Sequence, residues 1–61
     1  MKPEEVKKHY KTAYNFYKET GMSPANIGNW VRWGYIPIAS QFKIEETTNG
    51  KLKANYGDSK K

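Results

Sequence analysis

Apolar side chains recur at helical spacing through the first half of the chain. Val6 and Tyr10 stand four apart behind Pro3-Glu4-Glu5, where a proline at a helix start and two carboxylates near the positive end of the helix dipole favour initiation. This stretch predicts a short helix ending near Lys11. Ala13, Phe16, Tyr17 and Thr20 repeat at i, i+3, i+4 and i+7, which predicts a second helix capped by Thr12 and ending at about Thr20. Ile27, Trp30 and Val31 make the apolar face of a third, from Pro24 to about Trp33.

The second and third helices are joined by Gly21-Met22-Ser23-Pro24. Gly21 suits the left-handed residue just past a helix C-terminus, Ser23 can cap the next helix, and Pro24 fits its first position. Helices joined this tightly must cross steeply. A steep crossing is the skeleton of a helix-turn-helix, whose second helix can be laid in a DNA groove. Gly34 then ends the third helix as Gly21 ends the second, and Tyr35-Ile36 run extended before Pro37.

From Pro37 to Thr48 the pattern supports two structures. As a helix, Ile38, Phe42 and Ile44 fall on a broad arc with Glu45 inside it, which demands a partner for the carboxylate or two separate apolar faces. As a hairpin, Phe42, Ile44 and Thr48 alternate, Asn49-Gly50 is a type I′ turn signal, and Leu52, Ala54 and Tyr56 return as the second strand. Local pattern alone slightly favours the hairpin. Residues 1–56 read as a single domain and 57–61 as a flexible basic tail.

The outward face of the third helix is unusual. Ala25, Gly28, Asn29 and Arg32 lie opposite the apolar stripe, where a helix that merely faces solvent normally carries Lys, Glu and Gln. Gly28 in mid-helix costs roughly 1 kcal/mol against alanine, so either another helix packs tightly there or something else approaches closely. No acid lies between Thr20 and Ile44, and Arg32 and Lys43 carry the only formal positive charge of that span. At the N-terminal edge of the second helix, Thr12 and Tyr14 offer hydroxyls to a phosphate. Trp30 has the phase of the core. Trp33 is rotated to the flank, as a core edge or a contact with a second protomer.

Composition narrows the class. Sixty-one residues allow one thin core burying roughly 60% of the unfolded chain's surface, with little left for an enclosed active site. A net charge of +5 suits a polyanionic partner or simply solubility. Without cysteine there is no disulfide or thiolate metal site, and His9 has no co-ligands, so no metal and no cofactor are expected. Nucleophile–base pair, metal cluster and phosphate loop are all missing from the sequence, and an enzyme is not expected. No apolar run suffices for a membrane span, and the reading is a soluble, cytoplasmic protein with no membrane or small-molecule partner.

These residues resemble the Cro and repressor helix-turn-helix proteins of lambdoid phages and prophages. Thr12-Ala13-Tyr14, Gly21-Met22-Ser23, Ile27 with Trp30, Gly34 to Pro37, Ile44-Glu45 and Thr48-Asn49-Gly50 carry the resemblance, which spans about residues 4 to 54. The repressors of that family add a second domain for which this chain has no room, so it is more similar to Cro. The family has an all-helical branch and a branch with a C-terminal hairpin. The Ile36-Pro37 junction, Ile44-Glu45 and Thr48 to Gly50 resemble the helical branch, which outweighs the local hairpin signal; the expected fold is all-α, about five short helices, with three helices plus a hairpin as the alternative. The sequence departs from the family where Tyr17 stands for a common alanine and Thr20 for a leucine.

The resemblance implies a transcriptional regulator that binds palindromic operator DNA as a homodimer, itself weakly paired without DNA, in a bacterial host cell. Base readout falls on Pro24, Ala25, Gly28 and Asn29, whose amide can pair with adenine, while Pro24 and Ala25 can meet a thymine methyl. Thr12, Tyr14, Ser23 and Arg32 are the expected phosphate contacts. Trp33, Tyr35, Phe42 and Leu52 are the candidates for the dimer interface. The alternative is a protein-interaction module, or an antitoxin-like regulator, on a helix-turn-helix scaffold.

Overall fold

The computed structural model describes residues 1–60. It contains four α-helices, α1 (Pro3–Tyr10), α2 (Ala13–Thr20), α3 (Ala25–Trp33) and α4 (Ile38–Thr47), followed by a single 3-10 turn, Tyr56–Asp58. The described residues form no strand, so the all-helical branch is the one adopted, with four α-helices rather than about five. None of these helices is long and apolar enough to cross a membrane.

Tyr10, Phe16 and Trp30, one each from α1, α2 and α3, are buried and meet edge to face. The ring centroids are 5.3 Å apart for Tyr10 and Phe16 and 5.8 Å for Phe16 and Trp30, with planes near perpendicular. Met1, Val6, Ile36 and Ile44 complete the core, and Met22, Ile27 and Leu52 pack against it. Two apolar faces are narrower than their periodicity implies. On α2 only Phe16 and Thr20 are buried, and Tyr17 is 55% exposed; on α3 Val31 is 42% exposed. Helices of eight and nine residues touch a thin core along a single line, so flanking members of a wide stripe stay outside.

The hairpin signal failed for a definable reason. Asn49 and Gly50 do take positive φ, 55° and 82°, but they use it to end α4. Gly50 N–H donates to Glu45 O at 2.9 Å and Asn49 N–H to Glu46 O at 3.2 Å, the paired closing bonds of a Schellman motif. Type I′ turns and helix C-termini need the same backbone freedom, so the dipeptide marks either. Beyond it α4 straps the chain down through polar groups. Thr48 Oγ1 accepts from Leu52 N–H, Glu45 Oε1 from Ala54 N–H and Gln41 Oε1 from Asn55 N–H. Glu45 thus finds the partner that a helical reading required.

Gln41 is fully buried and joins three parts of the chain. Its Oε1 also accepts from the Met1 α-ammonium at 2.9 Å, and its Nε2 donates to Ile36 O at 2.8 Å. The ammonium donates to Lys53 O as well and lies 3.5 Å from Asp58. Residues 57–60, expected as part of a flexible tail, therefore begin in an anchored turn, capped by the Asn55 side chain on Gly57 N–H at 2.8 Å; Lys61 lies outside the described residues.

Two buried polar side chains predict opposite outcomes. Gln41→Leu strands the groups that Gln41 satisfies and should lower stability by about 2 to 4 kcal/mol, most of what a domain this small holds. The Tyr10 hydroxyl has no hydrogen-bond partner, so Tyr10→Phe should leave stability at neutral pH unchanged or slightly raised. Burial pushes the Tyr10 phenol above its ordinary 10.0, the neighbouring Thr47 hydroxyl opposes this, and the charge of Glu19 adds to it. The unfolded chain then loses this proton first as pH rises past 10, and native stability falls; the advantage of Tyr10→Phe should widen above pH 10. Denaturant midpoints measured across pH check both.

Candidate functional site

The presentation of α3 is set by the turn before it. Gly21 takes φ 75°, ψ 0° and closes α2 with a bond to Tyr17 O, a conformation that favours glycine. Thr20 is buried, its hydroxyl donating to Phe16 O at 2.7 Å while accepting from Met22 N–H at 3.0 Å. That hydroxyl ties the turn to α2. Ser23 Oγ accepts from Ala25 N–H at 3.3 Å, but from the residue before the N-cap, since the helix begins at Ala25 rather than at Pro24. Pro24 stands one residue outside the helix, in helical backbone conformation.

Trp30 faces the core, so the opposite side of α3 is turned out. Pro24, Ala25, Gly28 and Arg32 are exposed, as is Ser23, and Asn29 is half-buried. A Cβ placed on Gly28 would meet nothing within 4 Å. Tight packing within the chain is therefore not why a glycine stands there. Arg32 Nη2 donates to Asn29 Oδ1, which orients the amide and leaves its NH₂ donors free, with one lone pair still available on Oδ1.

The other hydroxyls lie on α2. Thr12 Oγ1 accepts from Asn15 N–H at 3.1 Å, and the Asn15 amide donates to Tyr10 O at 3.0 Å, so the corner between α1 and α2 is locked from both sides. A cavity of about 240 Å³ opens beside it, lined by Lys7, Tyr10, Lys11, Thr12, Ala13, Pro24, Ile27 and Gly28. It brings Thr12 together with Pro24 and Gly28. Tyr14 is exposed outside it, its ring 5.9 Å from Lys18 Nζ. Lys7 and Lys11, which line this cavity, are not among the candidates read from the sequence. Their i, i+4 spacing on the last turn of α1 was visible, but not that this turn lies against α3.

The four interface candidates do not form one group. Trp33 stacks on Tyr35 at 5.7 Å, and Phe42 meets Tyr56 edge to face at 5.9 Å. Leu52 is half-buried against the core. Tyr56, not among the candidates, is 68% exposed.

No family model matches the chain, and no curated protein matches it. Among solved structures it is similar to N15 Cro complexed with consensus operator DNA, at 33% identity over 93% of this chain and 90% of that one, with a TM-score of 0.82. The chain belongs to the Cro family of helix-turn-helix proteins. At the motif's inner contact this Cro protein carries a buried Thr20, where the resemblance leads to the expectation of leucine. The Thr20 hydroxyl is fully bonded to backbone, so the exchange of apolar volume for polarity leaves no buried group unpaired.

Proposed function

We propose that this Cro protein is a sequence-specific duplex-DNA-binding regulator that represses transcription by occluding a promoter, with no catalytic step. It works in the cytoplasm of a bacterial host, as a homodimer on a palindromic operator with one α3 in each major groove. The observation that carries this reading is Gly28: an exposed mid-helix glycine, a cost to the helix, with open space where its Cβ would be. A groove floor approaching the helix axis gives that cost a purpose. Likeness to a Cro protein held on operator DNA supports the same reading.

Asn29 is the principal base reader, donating from its NH₂ to adenine N7 while Oδ1 accepts from N6, with Arg32 holding the amide in that orientation. Pro24 and Ala25 offer apolar contact to a thymine methyl. Thr12, Tyr14, Ser23 and Arg32 contact phosphates and set the register, and the absence of acid from Thr20 to Ile44 keeps repulsion away. With one cation on the reading helix, specificity rests on two half-sites more than on the strength of either. Exposed Trp33, stacked on the half-buried Tyr35, and the exposed pair Phe42–Tyr56 supply apolar surface for pairing the protomers.

Selection of bound sequences from random duplexes should return two inverted half-sites with centres about one helical turn apart. Against that duplex, Asn29→Ala should lose about 1 to 3 kcal/mol of discrimination from random DNA, and Lys60→Ala none. Equal losses on both duplexes from both variants would overturn the reading, and unselective, salt-dependent binding would favour a protein-interaction module.

A further inference from the structure

The corner between α1 and α2 carries a strained residue that is not a glycine. Lys11 has φ 68° and ψ −41°, and Thr12 N–H bonds Tyr10 O at 2.7 Å across it. This is close to the positive-φ γ-turn, a rare and strained three-residue turn. Glycine takes that conformation without the Cβ clash, and asparagine takes positive φ more readily than lysine does. At this φ the lysine carries a steric cost that glycine avoids, and this offsets the chain entropy that a glycine would lose. Lys11 is exposed, so its ammonium is open to a partner outside the chain.

The position of that side chain shows where. Lys11 lines the cavity of about 240 Å³, as does Lys7, one turn back on α1. Pro24 and Gly28 of the outward face of α3 line it too, and no carboxylate is among the lining residues. The volume lies below the roughly 300 to 1,000 Å³ of pockets that enclose small metabolites. A cleft this small, with two cations and no acid and continuous with the α3 face, suits a single phosphodiester that belongs to a larger ligand. The geometry points to Lys7 and Lys11 as a clamp on one backbone phosphate of the duplex that α3 reads, with the strained turn at Lys11 retained to hold that ammonium at the groove edge. This rests on the reading of α3 as a DNA-reading helix. It brings α1 into the DNA-binding surface beside α2 and α3, and it places a trade of stability for binding at one residue.

Removing a single phosphate interaction lowers the slope of log affinity against log salt by about 0.9. With the selected duplex and a random duplex of equal length, Lys11→Gly should melt no lower than the native chain. The double variant Lys7→Ala/Lys11→Gly should bind both duplexes more weakly, with the slope smaller by about 0.9 per protomer and the ratio of the two affinities unchanged. Each single variant should lower the slope by less, since one ammonium stays on the phosphate, and Lys11→Arg should retain it. A native slope in the double variant overturns the clamp alone, as does a changed affinity ratio, which would place the lysines at a base edge. A native chain that binds neither duplex overturns the repressor reading and the clamp with it.

Discussion

The edge-to-face contact between Phe16 and Trp30 is the constraint on which the rest of the molecule depends. Such pairs contribute about 0.5 to 1.5 kcal/mol beyond the burial of their area, but here orientation matters more than magnitude. Trp30 is the single fully buried residue of α3. Successive residues of a helix are about 100° apart, so fixing Trp30 inward fixes Ala25, Gly28 and Arg32 outward. Tyr10 extends the contact to α1. The phase of α3, its angle to α2 and the closeness of α1 to its first turn are set by three rings.

The C-terminal half is held by a different kind of interaction. A chain of 61 residues without cysteine has neither a large core nor a covalent staple, and α4 compensates with polar side chains that reach over the chain beyond it. Gln41, Glu45 and Thr48 each accept from backbone N–H groups of residues 52 to 55. Inside a low-dielectric interior, satisfied networks of this kind specify one arrangement, because any other leaves a buried group unpaired. The segment from Lys51 to Asn55 has no regular structure; the N–H groups of Leu52, Ala54 and Asn55 are bonded by side chains of α4 and its C-cap Thr48, and Lys53 O by the Met1 ammonium.

How much of this could be read from the residues alone depends on the range of the interaction. Helix ends governed by local chemistry were legible: Thr12 as a cap, Gly21 and Gly34 in left-handed conformation, Trp30 inward. Asn49-Gly50 was legible as a place of positive φ but not as a helix end, because the two turn types share that requirement. The widths of the apolar faces were overestimated at Tyr17 and Val31, since periodicity gives direction and only tertiary packing gives depth. Among the proposed site residues, the outward placement of those on α3 followed from its phase. Lys7 and Lys11 did not, because their relevance depends on which helix α1 lies against, a contact between residues about twenty apart in sequence.

The outward face of α3 combines features that oppose stability or are neutral to it: a mid-helix glycine over open space, small side chains, one amide oriented by one arginine. Beside it a lysine occupies a strained turn. Residues that weaken a helix or a corner without compensation inside the chain are expected where another molecule supplies the compensation. Amide chemical shifts recorded while the selected duplex is added to the labelled protein test this most directly. The largest changes should fall at Ala25, Gly28, Asn29 and the Thr12 corner. Changes confined to the Trp33–Tyr35 and Phe42–Tyr56 pairs, with the α3 face undisturbed, would contradict it.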